Sequence, residues 1–313
     1  MNVQQFETPG PVELQVRNRS GWVEVTTHDA PETTVDLTAL TRDAEDLVRG
    51  TEVSLTPLAE GHRVAVDVPD FDSGKSWFSR SRGVGVRVRV PEGTRLDIKT
   101  ASADIKGTGN FGPARVEAAS GDVWLDTIGA DGLVRTASGE VRIDTAGAAL
   151  RVYTASGDIM VGRGSGPMQC HSASGDQLIE VLDGDAECES ASGDIRIGRL
   201  SGALSARTAS GDITIGASRH DLSLQSHSGD VDVRCAIQGR LVLQSTSGDV
   251  TVAVAEGSRV AIDAHTRSGD ALSEIPLEDV PPGTDASAPL VEVRANTVSG
   301  DVRIIRARTR SAS

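Results

Sequence analysis

Three aspartates, Asp230, Asp249 and Asp270, each follow a serine and a glycine late in the chain, and Asp122, Asp158, Asp176, Asp194 and Asp212 precede them in the same setting. Carboxylates gathered on one face are the working groups of glycoside cleavage, one as acid and its neighbour as base or nucleophile. Such a strip can also collect cations or a basic partner, and Asp158, Asp176, Asp194 and Asp212 are the candidates for that role. The structural alternative comes first: an aspartate in a turn accepts backbone N–H bonds, here expected within its own turn. Glu140 in the aspartate position and the lack of a Gly-Gly-x-Gly-x-Asp pattern argue against tight metal geometry. No metal or cofactor is expected.

A second candidate is the stretch from Asp70 to Gly83, which sets Trp77 and Phe78 beside Arg80 and Arg82 in a chain with only 3% aromatic residues. Aromatic and arginine side chains together make contact hot spots; the same segment could instead plug an open core. The six histidines and three cysteines show neither metal-ligand spacing nor a nucleophile motif. Cys170 and Cys188 are expected to be reduced thiols acting as small apolar side chains.

The element that must position these groups is a repeat. The corner serine stands at 102, 120, 138, 156, 174, 192, 210 and 228, an interval of 18 residues without insertion. Its most regular copies are Ser120-Gly121-Asp122, Ser156-Gly157-Asp158, Ser174-Gly175-Asp176, Ser192-Gly193-Asp194, Ser210-Gly211-Asp212 and Ser228-Gly229-Asp230. Each unit holds two short alternating runs separated by Gly-rich turns, too short for helices. Alternation sends Val123, Val141, Ile159, Ile195, Ile213 and Val231 to one face, with Leu125, Ile143, Val161, Ile179, Ile197 and Ile215 two residues on. Identical residues at one period stack directly when the chain coils, at about 4.8 Å per coil. The expected fold is all-β: a single-stranded right-handed parallel β-helix (β-solenoid) with about 18 residues per coil and an irregular β N-terminal region.

The expected organisation is irregular N-terminal coils and a cap over 1–95, the regular β-helix over 96–273, a loop and final coil over 274–306, and a tail over 307–313. Leu14, Val16, Ser20, Gly21, Val23 and Val25 match a regular coil that lacks its aspartate. A net charge of −14 disfavours nucleic acid and anionic lipid as partners. Residues 1–7 show neither a basic nor an apolar leader region and no run reaches the length of a membrane span, so no insertion in a membrane and a cytoplasmic location are expected.

The strand end Val88-Arg89-Val90-Pro91-Glu92-Gly93-Thr94, followed by Thr100-Ala101-Ser102 with Asp104 and by the Ala-Ser-Gly-Asp coils, resembles the bacterial DUF4097 family, whose members are also labelled candidate adhesins. The resemblance covers nearly the whole chain. It implies a single-stranded right-handed β-helix and carries over no catalytic residue. Equal coils leave no room for the loops that wall an enzyme cleft, so the expected function is a non-enzymatic scaffold or interaction protein, adhesin-like, whose partner is a protein or a second copy. The alternative is a carbohydrate-active β-helix enzyme, lyase or hydrolase, using Asp230, Asp249 and Asp270.

Overall fold

The computed structural model describes residues 2–69, 83–275 and 288–307, and forms two compact units, Met1–Met160 and Val161–Ser313. Each is built from parallel coils of one chain, the β-helix that the repeat predicts.

In the first unit the strand Val12–His28 is a whole coil, bent at Ser20 and Gly21 and paired in parallel along both arms with Arg95–Phe111. Ser20 lies opposite Ser102, Gly21 opposite Ala103 and Trp22 opposite Asp104, which confirms the coil lacking its aspartate. The two arms of Arg95–Phe111 then carry Ala114–Glu117 and Val123–Ile128, and these carry Gly132–Arg135 and Val141–Ala146 in turn. Register follows the period of 18, so Val116 faces Val134, Val134 faces Val152, and Leu125 faces Ile143.

On its other side Val12–His28 bears His62–Asp67 on one arm and Val84–Pro91 on the other. Beyond them pairing turns antiparallel, with Glu52–Pro57 on His62–Asp67, Glu32–Ala39 on Val84–Pro91, and Asn2–Glu7 on Glu32–Ala39. The sequence-first coil is thus an inner one, and antiparallel strands cover the edge that a bare parallel coil would expose. The pattern alone missed a helical turn, Arg42–Ala44 running into Glu45–Gly50. Ala44 and Leu47 bury its inner side, while Glu45 and Asp46 in the first turn pair with Arg49 in the last, at 3.3 and 3.1 Å, in the sense that a helix dipole favours.

In the second unit one arm series runs Met168–Ser172, Ala186–Ser190, Leu204–Ser210, Leu222–Ser228 and Gly239–Ser247. The other includes Gln177–Leu182, Ile195–Leu200, Ile213–Ser218, Val231–Ala236 and Val250–Val254. At the far end the spatial order departs from the chain order. Leu290–Ser299 pairs with Gly239–Ser247 on one side and Arg259–Ser268 on the other, so the coil expected to be final is slotted inside the one that precedes it.

The core is a stack of aliphatic columns. Ile195, Ile213, Val231, Val250 and Val302 are all 0% exposed, and each such burial contributes roughly 1.5–3 kcal/mol. Cys170 faces Cys188 within this stack; both are free and buried. Their mutual hydrogen bond and the loss of water push the Cys170 thiol well above its ordinary pKa, so it stays a neutral core side chain. Gln177 occupies an aliphatic position and keeps its amide inside by donating Nε2 to the Glu189 carbonyl at 2.6 Å.

Candidate functional site

Within each unit the aspartates line up at one corner, but their carboxylates reach across coils instead of closing their own turns. In the first unit Asp104 Oδ1 accepts the backbone N–H of Asp122 at 3.1 Å, and Asp122 Oδ1 that of Glu140 at 2.9 Å. In the second, Asp176 Oδ1 accepts from Asp194 at 2.9 Å, and Asp194 accepts from Asp212, Asp212 from Asp230 and Asp230 from Asp249 at 2.8 Å each. The carbonyl of each donating residue is bonded back, as when Ile195 N–H donates to the Asp212 carbonyl at 2.9 Å. The own-turn reading is therefore corrected: the side chain supplies, coil to coil, the acceptor that the corner backbone withholds.

At three corners the hydroxyl column also engages the backbone of the preceding coil. Thr208, Ser226 and Ser245 hydroxyls donate to the carbonyls of Gly193, Gly211 and Gly229 of the preceding coil at 3.0–3.1 Å. Those carbonyls are thereby taken out of the strand ladder. In earlier corners the hydroxyl plays the opposite part: Thr136, Thr154 and Ser172 accept the N–H of Gly139, Gly157 and Gly175 at 3.0, 2.8 and 2.7 Å. Ser190 lies where one pattern gives way to the other, and its buried hydroxyl has no hydrogen-bond partner among the described residues. The opposite corner repeats the carboxylate device, Asp185 Oδ1 taking the N–H of Ala203 and Asp221 Oδ1 that of Arg240, both at 2.8 Å. Part of the chain's acidity therefore sits in coil-to-coil bonds.

The acidic trio does not assemble as its order in the chain suggests. Because the last coil is slotted inward, Asp301 stands between Asp249 and Asp270: Asp249 Oδ1 accepts from Asp301 N–H at 2.8 Å, and Asp301 Oδ1 from Asp270 N–H at 3.0 Å. The Asp270 N–H, and next Arg303, hold the Asp301 carboxyl below the usual carboxylate range. Asp158 occupies the same corner, its carbonyl taking the N–H of Val141 at 2.9 Å. Arg196 bridges Asp176 at 3.4 Å and Asp194 beside it, which offsets part of the like-charge column. Among the described residues no group of three or more His, Cys, Asp or Glu side chains is arranged to hold a metal ion. Trp77, Phe78, Arg80 and Arg82 lie outside the described residues.

One surface feature escaped the sequence reading. A groove of about 290 Å³ in the first unit is lined by Trp22, Glu24, Asp104, Lys106, Asp122 and Trp124. Its signals were present: Trp22 fills the aspartate position of its coil, and Trp124 has the parity of an outward residue. A broader polar trough in the second unit runs along Arg207, Gln225 and Gln244, joined in series by side-chain hydrogen bonds at 3.1 and 2.8 Å.

The corner ladder and the stacked columns agree with what comparison finds. The model of the Toastrack DUF4097 family matches residues 12–221, 182–237 and 201–305. The chain belongs to this family. Among solved structures, a candidate cell adhesion protein from Clostridium sporogenes is 8% identical, with 97% of this chain and 98% of that chain covered and a TM-score of 0.26. A candidate adhesin from Bacteroides fragilis is 13% identical over 97% of this chain and 96% of its own, with a TM-score of 0.33. Another from Parabacteroides merdae is 12% identical over 97% and 96%, with a TM-score of 0.31. No curated protein matches this Toastrack chain.

Proposed function

We propose that the chain is a non-enzymatic β-solenoid scaffold that binds a partner protein, or a second copy of itself, through the outward faces of its coils. The observation that carries this reading is the fate of the carboxylates. Asp194, Asp212 and Asp230 each anchor one carboxylate oxygen, Oδ1, on a backbone N–H of the next coil at 2.8 Å, a structural use that accounts for the column without the acid and nucleophile pair of glycoside cleavage. Asp249 and Asp270, the remaining members of the acidic trio, are separated by Asp301.

Two measurements test it together. Purified protein should release neither reducing ends nor unsaturated products from a polysaccharide panel, and crosslinking with light scattering should reveal a defined complex. Turnover lost in a folded Asp249→Asn variant would overturn the reading, as would a strict monomer that crosslinks to nothing.

A further inference from the structure

Two of the chain's three tryptophans flank the small groove in the first unit. Trp22 lies opposite Asp104, while Lys106, two residues on, lies between Glu24 and Trp124 in register. The tryptophans therefore sit two coils apart, roughly 10 Å along the stack at the spacing of paired strands.

Trp22 is half-buried and held in place by its neighbours, while Trp124 is open to solvent. Trp22 packs over Gly85, where an added Cβ would come within 2.3 Å of the ring, and the Arg87 guanidinium lies 5.3 Å from the ring centroid. Arg87 is itself fixed by Glu24 at 2.8 Å. Trp124 is 48% exposed, a large apolar surface on a face whose other residues are mostly polar. Between the rings, Asp104 and Asp122 each commit one carboxylate oxygen to the corner ladder and keep Oδ2 available. Lys106 forms no ion pair with any described residue.

This combination selects a ligand class. A pyranose with equatorial substituents offers an apolar C–H face to an aromatic ring and a rim of hydroxyls to carboxylates and an ammonium. An apolar peptide would leave Asp104, Asp122 and Lys106 desolvated without partners. With Glu24 neutralised by Arg87, two carboxylates outweigh one ammonium, which disfavours phosphates and uronates. The volume, near the lower end for ligand clefts, suits a stretch of a longer chain that runs on in both directions. In a glycan extended with two-fold symmetry, as a β-1,4-glucan is, alternate rings present the same face, as two tryptophans on one side of the protein require.

We propose that the groove binds an uncharged, extended oligosaccharide, with Trp22 and Trp124 stacking on alternate rings and Asp104, Lys106 and Asp122 bonding to their hydroxyls. The inference rests on the reading of the chain as a binder and adds a ligand class to it.

Cellohexaose and xylohexaose titrated into the full chain, followed by tryptophan fluorescence and calorimetry, test it. At least one should bind and shift the emission. Trp124→Ala, at an exposed position that leaves the fold intact by circular dichroism, should weaken binding by about tenfold or more. Asp104→Asn keeps the ladder acceptor and should weaken binding severalfold without loss of stability. No binding of either sugar at millimolar concentration, or unchanged affinity in folded Trp124→Ala, would overturn the site; tighter binding of oligogalacturonate would overturn the uncharged class. Shortened sugars released by the wild type would refute the non-enzymatic reading and leave the site standing.

Discussion

Asp212 offers the sharpest test of the carboxylate ladder, because two opposing terms act on one side chain. Its Oδ1 accepts the N–H of Asp230 at 2.8 Å, a bond to a charged group worth about 1.5–3 kcal/mol. Its charge is repelled by Asp194 and Asp230 on either side, at roughly 1 kcal/mol per neighbour in water and about half that at physiological salt. Alanine removes both terms and should cost about 1 kcal/mol net, since the exposed N–H of Asp230 regains water. Asparagine keeps a neutral acceptor and loses the repulsion, so Asp212→Asn should lie within about 0.5 kcal/mol of wild type. Urea unfolding followed by far-UV circular dichroism measures both variants. Raising salt should make Asp212→Ala more costly relative to wild type, because the repulsion it relieves is already screened. Equal destabilisation by alanine and asparagine would refute the reasoning, for it would mean that the charge itself is needed.

Three further outcomes follow from the same geometry. Gly157→Ala would place a Cβ 1.8 Å from the Gly139 carbonyl oxygen of the coil beneath, so it should cost about 3 kcal/mol or more in denaturant unfolding, through contact and not through backbone conformation. Ser190→Ala removes a buried hydroxyl without a partner and should stabilise by up to about 1 kcal/mol, whereas Ser226→Ala, which loses the bond to Gly211, should destabilise by about the same amount; identical effects would argue against the two corner patterns. The Glu117 carboxyl is held low by Lys99 and then Arg115, and that of Asp301 by the Asp270 N–H and then Arg303. Folded pKa values below the unfolded ones mean that this stabilisation is fully present above the ordinary carboxylate range and is lost as pH falls through the folded values. Thermal melts should therefore hold steady from neutral pH down to about pH 5 and drop below about pH 4, with Glu117→Gln showing a shallower acid limb.

The regular coils were legible because a period of 18 fixes both which side chains point inward and which residues lie over one another. Val123 over Val141 and Ile195 over Ile213 needed only that period and the alternation of a strand. Spacing could place the aspartates on one edge but could not say which N–H each would accept. The inward hydroxyl column was legible, but the same carboxylate bond forms both where Thr208, Ser226 and Ser245 engage glycine carbonyls and where Thr136 accepts an N–H instead, so spacing alone could not assign the carboxylate's partner. Coil order at the ends was illegible for a related reason. The alternation in Val12–His28, Val84–Pro91 and Leu290–Ser299 would be identical in any stacking order, so nothing marked the first and last coils as inner ones. The groove needed three coils brought into register, since Trp22 and Trp124 come to one groove only through the Arg95–Phe111 coil that separates them.

The central claim is that the carboxylate column fastens coil to coil. A high-resolution crystal structure grown in calcium-containing buffer tests it most directly. The account predicts Oδ1 of Asp194, Asp212 and Asp230 within hydrogen-bond distance of the next coil's N–H, with no cation bridging adjacent carboxylates. A calcium ion seated between neighbouring aspartates, with Oδ1 turned away from the backbone, would contradict it.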